Sequence, residues 1–415
     1  MAKSYATVVF VAGMLVTGCS NSLLTKFQDN QCVENCDGDP NGRRYFEQPV
    51  IQTFQMFIAE AACWCIVFFR YMYASYVYEY RANTHIDGED TEEEMTVSQL
   101  QISTDANMSL LSSEGTNSEN PVHTELITPL NGKKVFGLSV PAFCDICGTT
   151  LMNVGLFFTP VSIYQMTRGA LVLFVGIFSV IFLRHKLLPK QWFALGIVVT
   201  GVFLVGLSGV IYAPETDEAD KSTAERSINQ VIFGVLLIAM AQIFTATQFV
   251  YEEHILQDYH LDSMRVVGYE GIFGLMLTGV IMIVGYLFIG STEGGKNGYF
   301  DVPAATHQIF TQSKVLVSSL LIMISIGSFN FFGISVTRTV SATSRSTIDT
   351  CRTLGIWLIS IVLGWENFKM LQLVGFALLV YGTLVFNGII SPYISKKLES
   401  SANSGRIRLG EDELE

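Results

Sequence analysis

The chain reads as an all-α membrane protein: ten transmembrane helices in two inverted five-helix repeats. Three observations predict this. First, only 15% of its 415 residues are charged while half are apolar, where a soluble chain carries roughly a quarter charged residues. Second, the charges cluster, leaving apolar runs such as Ala170 to Leu183 and Trp192 to Leu207 between them. About 20 apolar residues suffice to cross ~30 Å of hydrocarbon. Only helices and closed barrels satisfy backbone groups in lipid, and barrel strands alternate; these runs do not. Third, the chain matches itself at an odd number of spans, as described below.

In chain order, spans are expected near residues 5–24, 50–73, 135–158, 161–183, 191–212, 230–251, 266–289, 315–336, 340–363 and 371–390. The first follows Lys3 and ends in Val16-Thr17-Gly18-Cys19. That pattern imitates a lipoprotein signal, but in a polytopic chain it is read as a retained span. The ninth carries two arginines and an aspartate, which makes it the least apolar of the ten. Residues 1–212 form the first repeat, 213–391 the second and 392–415 a polar tail. Residues 83–131, rich in Ser, Thr, Glu and Asn, lack an apolar period and read as a disordered loop between spans two and three.

Basic residues near span ends set orientation. Lys3, Arg70, Arg81, Lys133, Lys134, Arg184, Lys186 and Lys190 fall on one side with Arg265, Arg338, Lys396, Lys397, Arg406 and Arg408. Fewer lie opposite: Lys26, Arg43, Arg44, Lys221, Arg226, Lys296, Lys314 and Lys369. Both termini are therefore expected in the cytosol, and Asn107, in an Asn-Met-Ser sequon, is expected to stay bare. The net charge of −12 comes from local acidic runs at Asp87 to Glu94 and Glu411 to Glu415. These are solvated segments and name no partner.

Cys32 and Cys36 lie in the non-cytosolic loop after span one, where a disulfide forms if the compartment oxidises thiols; the tight spacing leaves this open. Cys144 and Cys147 form a CxxC inside an apolar helix, where packing explains them better than redox or metal chemistry. No hydrolase, kinase or nucleotide-binding signature is present, so no enzyme activity, cofactor, metal or nucleic-acid partner is expected. The partners expected are a small-molecule solute and the bilayer, with a homodimer left open.

Sliding the chain on itself without gaps pairs Val161-Ser162 with Val340-Ser341, Gly176-Ile177 with Gly355-Ile356, Lys190 with Lys369, Gly196 with Gly375 and Gly209 with Gly388. A second register pairs Glu60 with Glu270. Spans four and five thus map onto nine and ten. Five spans per repeat force the second copy to insert upside down, the arrangement that lets related halves exchange facing states.

Several stretches then resemble a known family. Gly13-Met14-Leu15-Val16-Thr17-Gly18 and Pro141-Ala142-Phe143-Cys144-Asp145 with Gly148-Thr149-Thr150-Leu151-Met152 carry it, as do Gln165-Met166-Thr167-Arg168-Gly169 and Met240-Ala241-Gln242-Ile243. Glu270-Gly271-Ile272-Phe273-Gly274 and Asn330-Phe331-Phe332-Gly333-Ile334-Ser335-Val336-Thr337 add to it, and the most specific is the ninth span from Ser341 through Arg345, Asp349 and Arg352 to Trp357. Together they resemble the drug/metabolite transporter (EamA-like) superfamily, and within it the F subfamily of solute carrier family 35. The resemblance implies ten spans, an inverted repeat, a central cavity and an endomembrane address. A lysosome or late endosome comes first, with the Golgi second; Asp105 and Leu110-Leu111 imperfectly imitate a dileucine sorting signal. The broader family moves nucleotide sugars and other small metabolites, and the resemblance supplies no substrate for this subfamily.

Ionisable groups at a helix centre in lipid cost ~2.5–3.5 kcal/mol or more, so they face a cavity or one another. On span nine, Ser341, Arg345, Asp349 and Arg352 share one face. They either line a solute path, an arginine holding an anionic group, or pair internally to bind helices together. Asp145, Thr149 and Asn153 share a face of span three, and Gln165 and Arg168 sit on span four. Glu60, Glu270, Asn330, Gln242 and Asn21 complete the candidates, with Glu60 or Asp145 able to couple a proton. Interhelical hydrogen bonding explains Gln242, Asn21 and Asn330 equally well. The leading function is a secondary transporter of a small polar solute; the alternative is a scaffold or regulator retaining the fold.

Overall fold

The structure is a computed structural model. It describes residues 2–36, 44–46, 48–84, 132–159, 164, 167–211, 228–259, 261–296, 298–364 and 368–390. Gln165, Asn107, most of the 83–131 loop and the 392–415 tail lie outside them.

Helix α1 (Ala2–Asp29) leads to a short hairpin of β1 (Cys32–Glu34) and β2 (Arg44–Tyr45), antiparallel, with Cys32 and Cys36 disulfide-bonded at a Cα separation of 5.8 Å. Helix α2 (Pro49–Ala61) starts on a proline, whose missing N–H costs nothing at a helix start, and runs with a break at Ala62 into α3 (Cys63–Thr84). After a 3-10 turn at Gly132–Leu138 come α4 (Ser139–Phe158), α5 (Leu171–Phe182) and α6 (Pro189–Ile211). The remainder is α7 (Ile228–Tyr259), α8 (Ser263–Gly285) with a π turn at Tyr286–Gly290, α9 (Val302–Thr311), α10 (Ser313–Thr339), α11 (Ala342–Val362) and α12 (Met370–Phe386). Glycines at φ +70 (Gly364) and +73 (Gly388) follow the last two helices, where only a residue without Cβ turns left-handed at no cost.

Among the described residues, seven helical segments are long and apolar enough to cross a membrane, and α5 and α12 are shorter apolar helices. Helix α11 has the length but carries Arg345, Asp349 and Arg352. Apolar side chains face outward, Phe288 at 76% exposure among them, while Glu60, Glu252, Glu253, Arg345 and Arg352 are buried. A soluble protein has the reverse arrangement; this is a surface made for lipid.

Several elements differ from the expected spans. The sixth continues eight residues past its expected end, to Tyr259, because Ile255 and Leu256 have buried positions to fill. The second continues to Thr84. The expected single helix over 161–183 is broken at Gly169 and Ala170, leaving the twelve-residue α5. The hairpin and α9 were not expected. Helix α9 begins where Asp301 accepts a hydrogen bond from the Ala304 N–H at 3.2 Å, and it buries Ala305 and Ile309 against Phe46, Ile51, Met282 and Val315.

Packing follows a regular scheme. Helix α4 lies along α7 and α1 along α10; α5 touches α7 and α1 touches α11; α4 touches α8 and α2 touches α10. Three further contacts join α2 to α8, α5 to α11 and α6 to α12. The α6–α12 seam brings backbones together: a Cβ on Gly201 would stand 2.7 Å from the Gly375 carbonyl oxygen, and one on Gly375 would stand 2.8 Å from that of Gly201. Four more contacts, α7–α10, α7–α11, α8–α10 and α10–α11, draw the second group of helices together more tightly than the first among the described residues.

Candidate functional site

The buried charged residues, Glu60, Glu252, Glu253, Glu270, Arg345 and Arg352, come from α2, α7, α8 and α11. Helix α11 starts at Ser341, whose hydroxyl oxygen accepts from the Ser344 N–H at 3.0 Å, a capping bond of the ordinary kind. The Ala342 N–H, also at this start, donates to Glu253 Oε2 at 2.9 Å. Helix α7 thus places a carboxylate on the positive end of α11. The His185 Nδ1 is 3.9 Å from the same residue, and Gln257 Nε2 donates to Glu253 Oε1 at 3.1 Å.

One turn along, Arg345 pairs with Glu252, its Nη1 donating to Glu252 Oε2. Both are buried, at 3% and 0% side-chain exposure. The guanidinium carbon lies 3.9 Å from the centroid of the Phe249 ring, within the range of a cation–π contact. Gly333 makes room for it: a Cβ there would sit 2.9 Å from Arg345 Nε and 3.0 Å from Nη2. Arg345 is therefore clamped on three sides.

Arg352, two turns further on, is held more loosely. Its Nε is 3.4 Å from Asp349 Oδ1 without hydrogen-bond geometry, and both atoms lack a hydrogen-bond partner. Its guanidinium carbon is 5.0 Å from the Phe329 centroid, and its stem rests on Gly18, where a Cβ would be 2.6 Å from Arg352 Cδ. Arg168 and Tyr164 are within electrostatic reach of it. Asn21, on α1, has a buried Oδ1 with no partner.

The acids face Arg345 from other helices. Glu60, near the end of α2, accepts a hydrogen bond on Oε1 from Asn330 Nδ2 of α10. Across α8, Gly271 lets the two helices close at this point, since a Cβ would stand 2.6 Å from that of Glu60. Glu270 is buried with Oε1 unpartnered. On α4, the Thr149 hydroxyl donates to the Asp145 carbonyl oxygen at 2.7 Å and lies 3.4 Å from Asp145 Oδ1.

The structure thus brings together Glu60, Asp145, Thr149, Glu270, Asn330, Ser341 and Arg345, with Asp349, Arg352 and Arg168 along the same helices. Asn153 is exposed, a turn away from Thr149. Gln242 is buried on α7, its Nε2 donating to the Ile238 carbonyl at 3.3 Å. Sequence reasoning missed Glu252 and Glu253, because apolar content ends the sixth span at Tyr251. The signal was present: Ile255 and Leu256 resume the apolar period of α7 beyond the two acids. At the opposite end of α10, a second polar network also escaped notice. Gln28 Nε2 donates to Ser319 Oγ at 2.7 Å, and Gln52 Nε2 donates to Gln28 Oε1 at 3.0 Å and Asp29 Oδ1 at 2.8 Å.

A family model described as nucleotide-sugar transporter matches residues 96–288. An uncharacterised protein of Schizosaccharomyces pombe is 34% identical over 377 residues, 91% of this chain and 96% of that protein. Solute carrier family 35 member F6 of Homo sapiens is 34% identical over 391 residues, 94% of this chain and 91% of its own length. The UDP-N-acetylglucosamine transporter of Bos taurus is 28% identical over 184 residues, 43% of this chain and 51% of that one. A solved crystal structure at 12% identity, covering 93% of this chain and 99% of its own, gives a TM-score of 0.51, a likeness of fold alone. An outward apolar surface, a buried ion-paired interior and near full-length similarity agree: this chain is a multi-pass integral membrane protein and belongs to solute carrier family 35, in its F subfamily.

Proposed function

We propose that the chain is a secondary transporter that moves a small polar solute by alternating access, with ten spans in two inverted five-helix repeats. Helix α11 would be the ninth span, with α5 and α12 the fourth and tenth. The observation that carries this is the pairing scheme. Exchange α1 with α7, α2 with α8, α4 with α10, α5 with α11 and α6 with α12, and the main helix contacts map onto one another. The α4–α7 contact becomes α10–α1, α5–α7 becomes α11–α1, and α2–α8, α5–α11 and α6–α12 map onto themselves. Two halves related in this way can exchange inward and outward shapes around a fixed site.

The extra contacts among α7, α8, α10 and α11 support one facing state. They close the end of the bundle where Glu252 meets Arg345, and their mates among α1, α2, α4 and α5 are not packed to the same degree among the described residues. With both termini in the cytosol, the closed end is the cytosolic one and the path opens to the lumen. An endomembrane location, lysosomal or late endosomal first and Golgi second, suits the subfamily.

Nucleotide-sugar transport by relatives suggests an anionic group on the solute. Arg345 is engaged by Glu252, which leaves Arg352 and Arg168 as the arginines to meet it. Candidate path residues are then Asn21, Asn330, Asp145, Thr149, Asp349 and Arg352. The test is a thermal-stability screen of the purified full chain against nucleotide sugars, nucleotides, amino acids and amines, followed by flux into proteoliposomes. A stabilising solute that is also accumulated supports transport. Binding and flux absent for every class, together with Arg352→Gln having no cellular effect, would leave the scaffold reading in its place.

A further inference from the structure

Glu60, Asp145, Glu252 and Glu270 arrive on four different helices, α2, α4, α7 and α8, within electrostatic reach of one another and of one cation, Arg345. Arg345 is committed to Glu252 by an ion pair and to Phe249 by stacking. The remaining three acids have no basic partner among the described residues. Glu60 receives the neutral Asn330 amide, and Asp145 has the Thr149 hydroxyl at 3.4 Å. Glu270, only 6% exposed, has an oxygen with no hydrogen-bond partner at all. The other titratable neighbours are thiols, Cys63 beside Glu60 and Cys144 beside Asp145, and neither brings positive charge.

Carboxylates held in an apolar interior without a counter-charge are strongly disfavoured. Positive charge has to accompany them. A hard metal ion needs six or more oxygens in close array, and among the described residues no three acidic, His or Cys groups converge at that range. Proton and ammonium remain: one neutralises a carboxylate on a single oxygen, the other spreads up to three N–H donors over separated acceptors. Acids on separate helices suit either, since neither needs tight convergence.

We propose that Glu60, Asp145 and Glu270 form an exchange site for positive charge, filled by a proton or by the ammonium group of a small organic cation competing for the same carboxylates. In transport, this site carries the coupled charge while Arg352 and Arg168 face the solute's anionic end. Two of its acids sit on α2 and α8, the helices that meet across the exchange of halves, and Asp145 sits on α4, which lets the positive charge feel both facing states. The inference rests on the transporter reading for its purpose alone, and its test reads binding without flux.

The experiment uses the full chain in lipid nanodiscs and follows the thermal midpoint from about pH 5 to about pH 8. A carboxyl that holds its proton more tightly when folded stabilises the fold at low pH and loses that contribution as pH rises. The wild-type midpoint is therefore expected to fall by ~2 °C or more across the range, and Glu270→Gln, Glu60→Gln and Asp145→Asn to flatten the slope. Glu34→Gln, outside the bundle and well exposed, keeps the wild-type slope. Methylammonium, which donates N–H bonds, is compared with tetramethylammonium, which donates none. If methylammonium alone raises the alkaline midpoint of wild type and not of Glu270→Gln, the charge comes from an organic cation; a pH slope without that response assigns it to the proton. An identical slope in wild type and all three variants, with no methylammonium effect, overturns the site. Should Glu270→Gln not fold, the wild-type infrared spectrum decides: a protonated-carboxyl band that disappears on alkalinisation supports the site, and no such band overturns it. A chain that passes here but shows no flux would keep the charge site and lose the transport.

Discussion

Arg345 and Arg352 lie on one face of α11, and by spacing alone they are equivalent. The structure separates them. Arg345 donates to Glu252, stacks on Phe249 and fills the space left by Gly333. Nε is unpartnered in both arginines, but Arg352 has only an aspartate of its own helix at 3.4 Å, without hydrogen-bond geometry, and another arginine in reach. One arginine is a tie between α7 and α11. Among the described residues the other has no ion pair to another helix. A buried charge with a completed bond to a carboxylate of another helix holds structure; one whose nearest carboxylate completes no such bond can hold a ligand.

The largest expected effect sharpens this contrast. Arg345→Leu leaves Glu252 buried and unpaired, at a cost of ~3–5 kcal/mol, and adding Glu252→Leu recovers most of it. A double-mutant cycle on the thermal midpoint in nanodiscs checks the pair; additive losses would break the comparison. Gly333→Ala pushes a methyl against the guanidinium at 2.9 Å from Nε and should cost ~1–3 kcal/mol, read in the same assay. Arg352→Gln is expected to cost ~1 kcal/mol of stability while lowering solute flux by ~10-fold or more, since that factor needs only ~1.4 kcal/mol of binding. Flux and midpoint are measured on one preparation, and a loss of stability as large as that of Arg345→Leu would make the two arginines alike. Smallest is Glu34→Gln at the exposed Arg44 pair, at 3.5 Å with both side chains well exposed. It should shift stability by less than ~0.5 kcal/mol.

The candidate site was only partly legible. Glu60, Asp145, Glu270, Arg345, Asp349 and Arg352 stand out because each interrupts an apolar run. Glu252 and Glu253 sit where apolar content declines, and hydropathy cannot distinguish a solvated helix end from a helix that carries its acids into an interior. Helix α9 is short and polar on one side, and it is ordered by a hydrophobic pocket that Phe46, Met282 and Val315 make together. No local pattern reports such a pocket. Gln28 was passed over for the same reason: its partners Ser319 and Gln52 come from other helices.

By itself the sequence determined that this chain is helical and made for lipid, because crossing hydrocarbon demands long apolar runs that close their own hydrogen bonds. It also pointed to which polar residues are out of place in such runs. Only the tertiary structure decided their pairing. Ion pairs and cation–π contacts join residues far apart in sequence, such as Arg345 with Glu252 and Phe249, and their geometry exists only once the helices have packed. Which arginine is clamped, and which acids are left without a cation, therefore follows from helix packing and from no property of the residues taken singly.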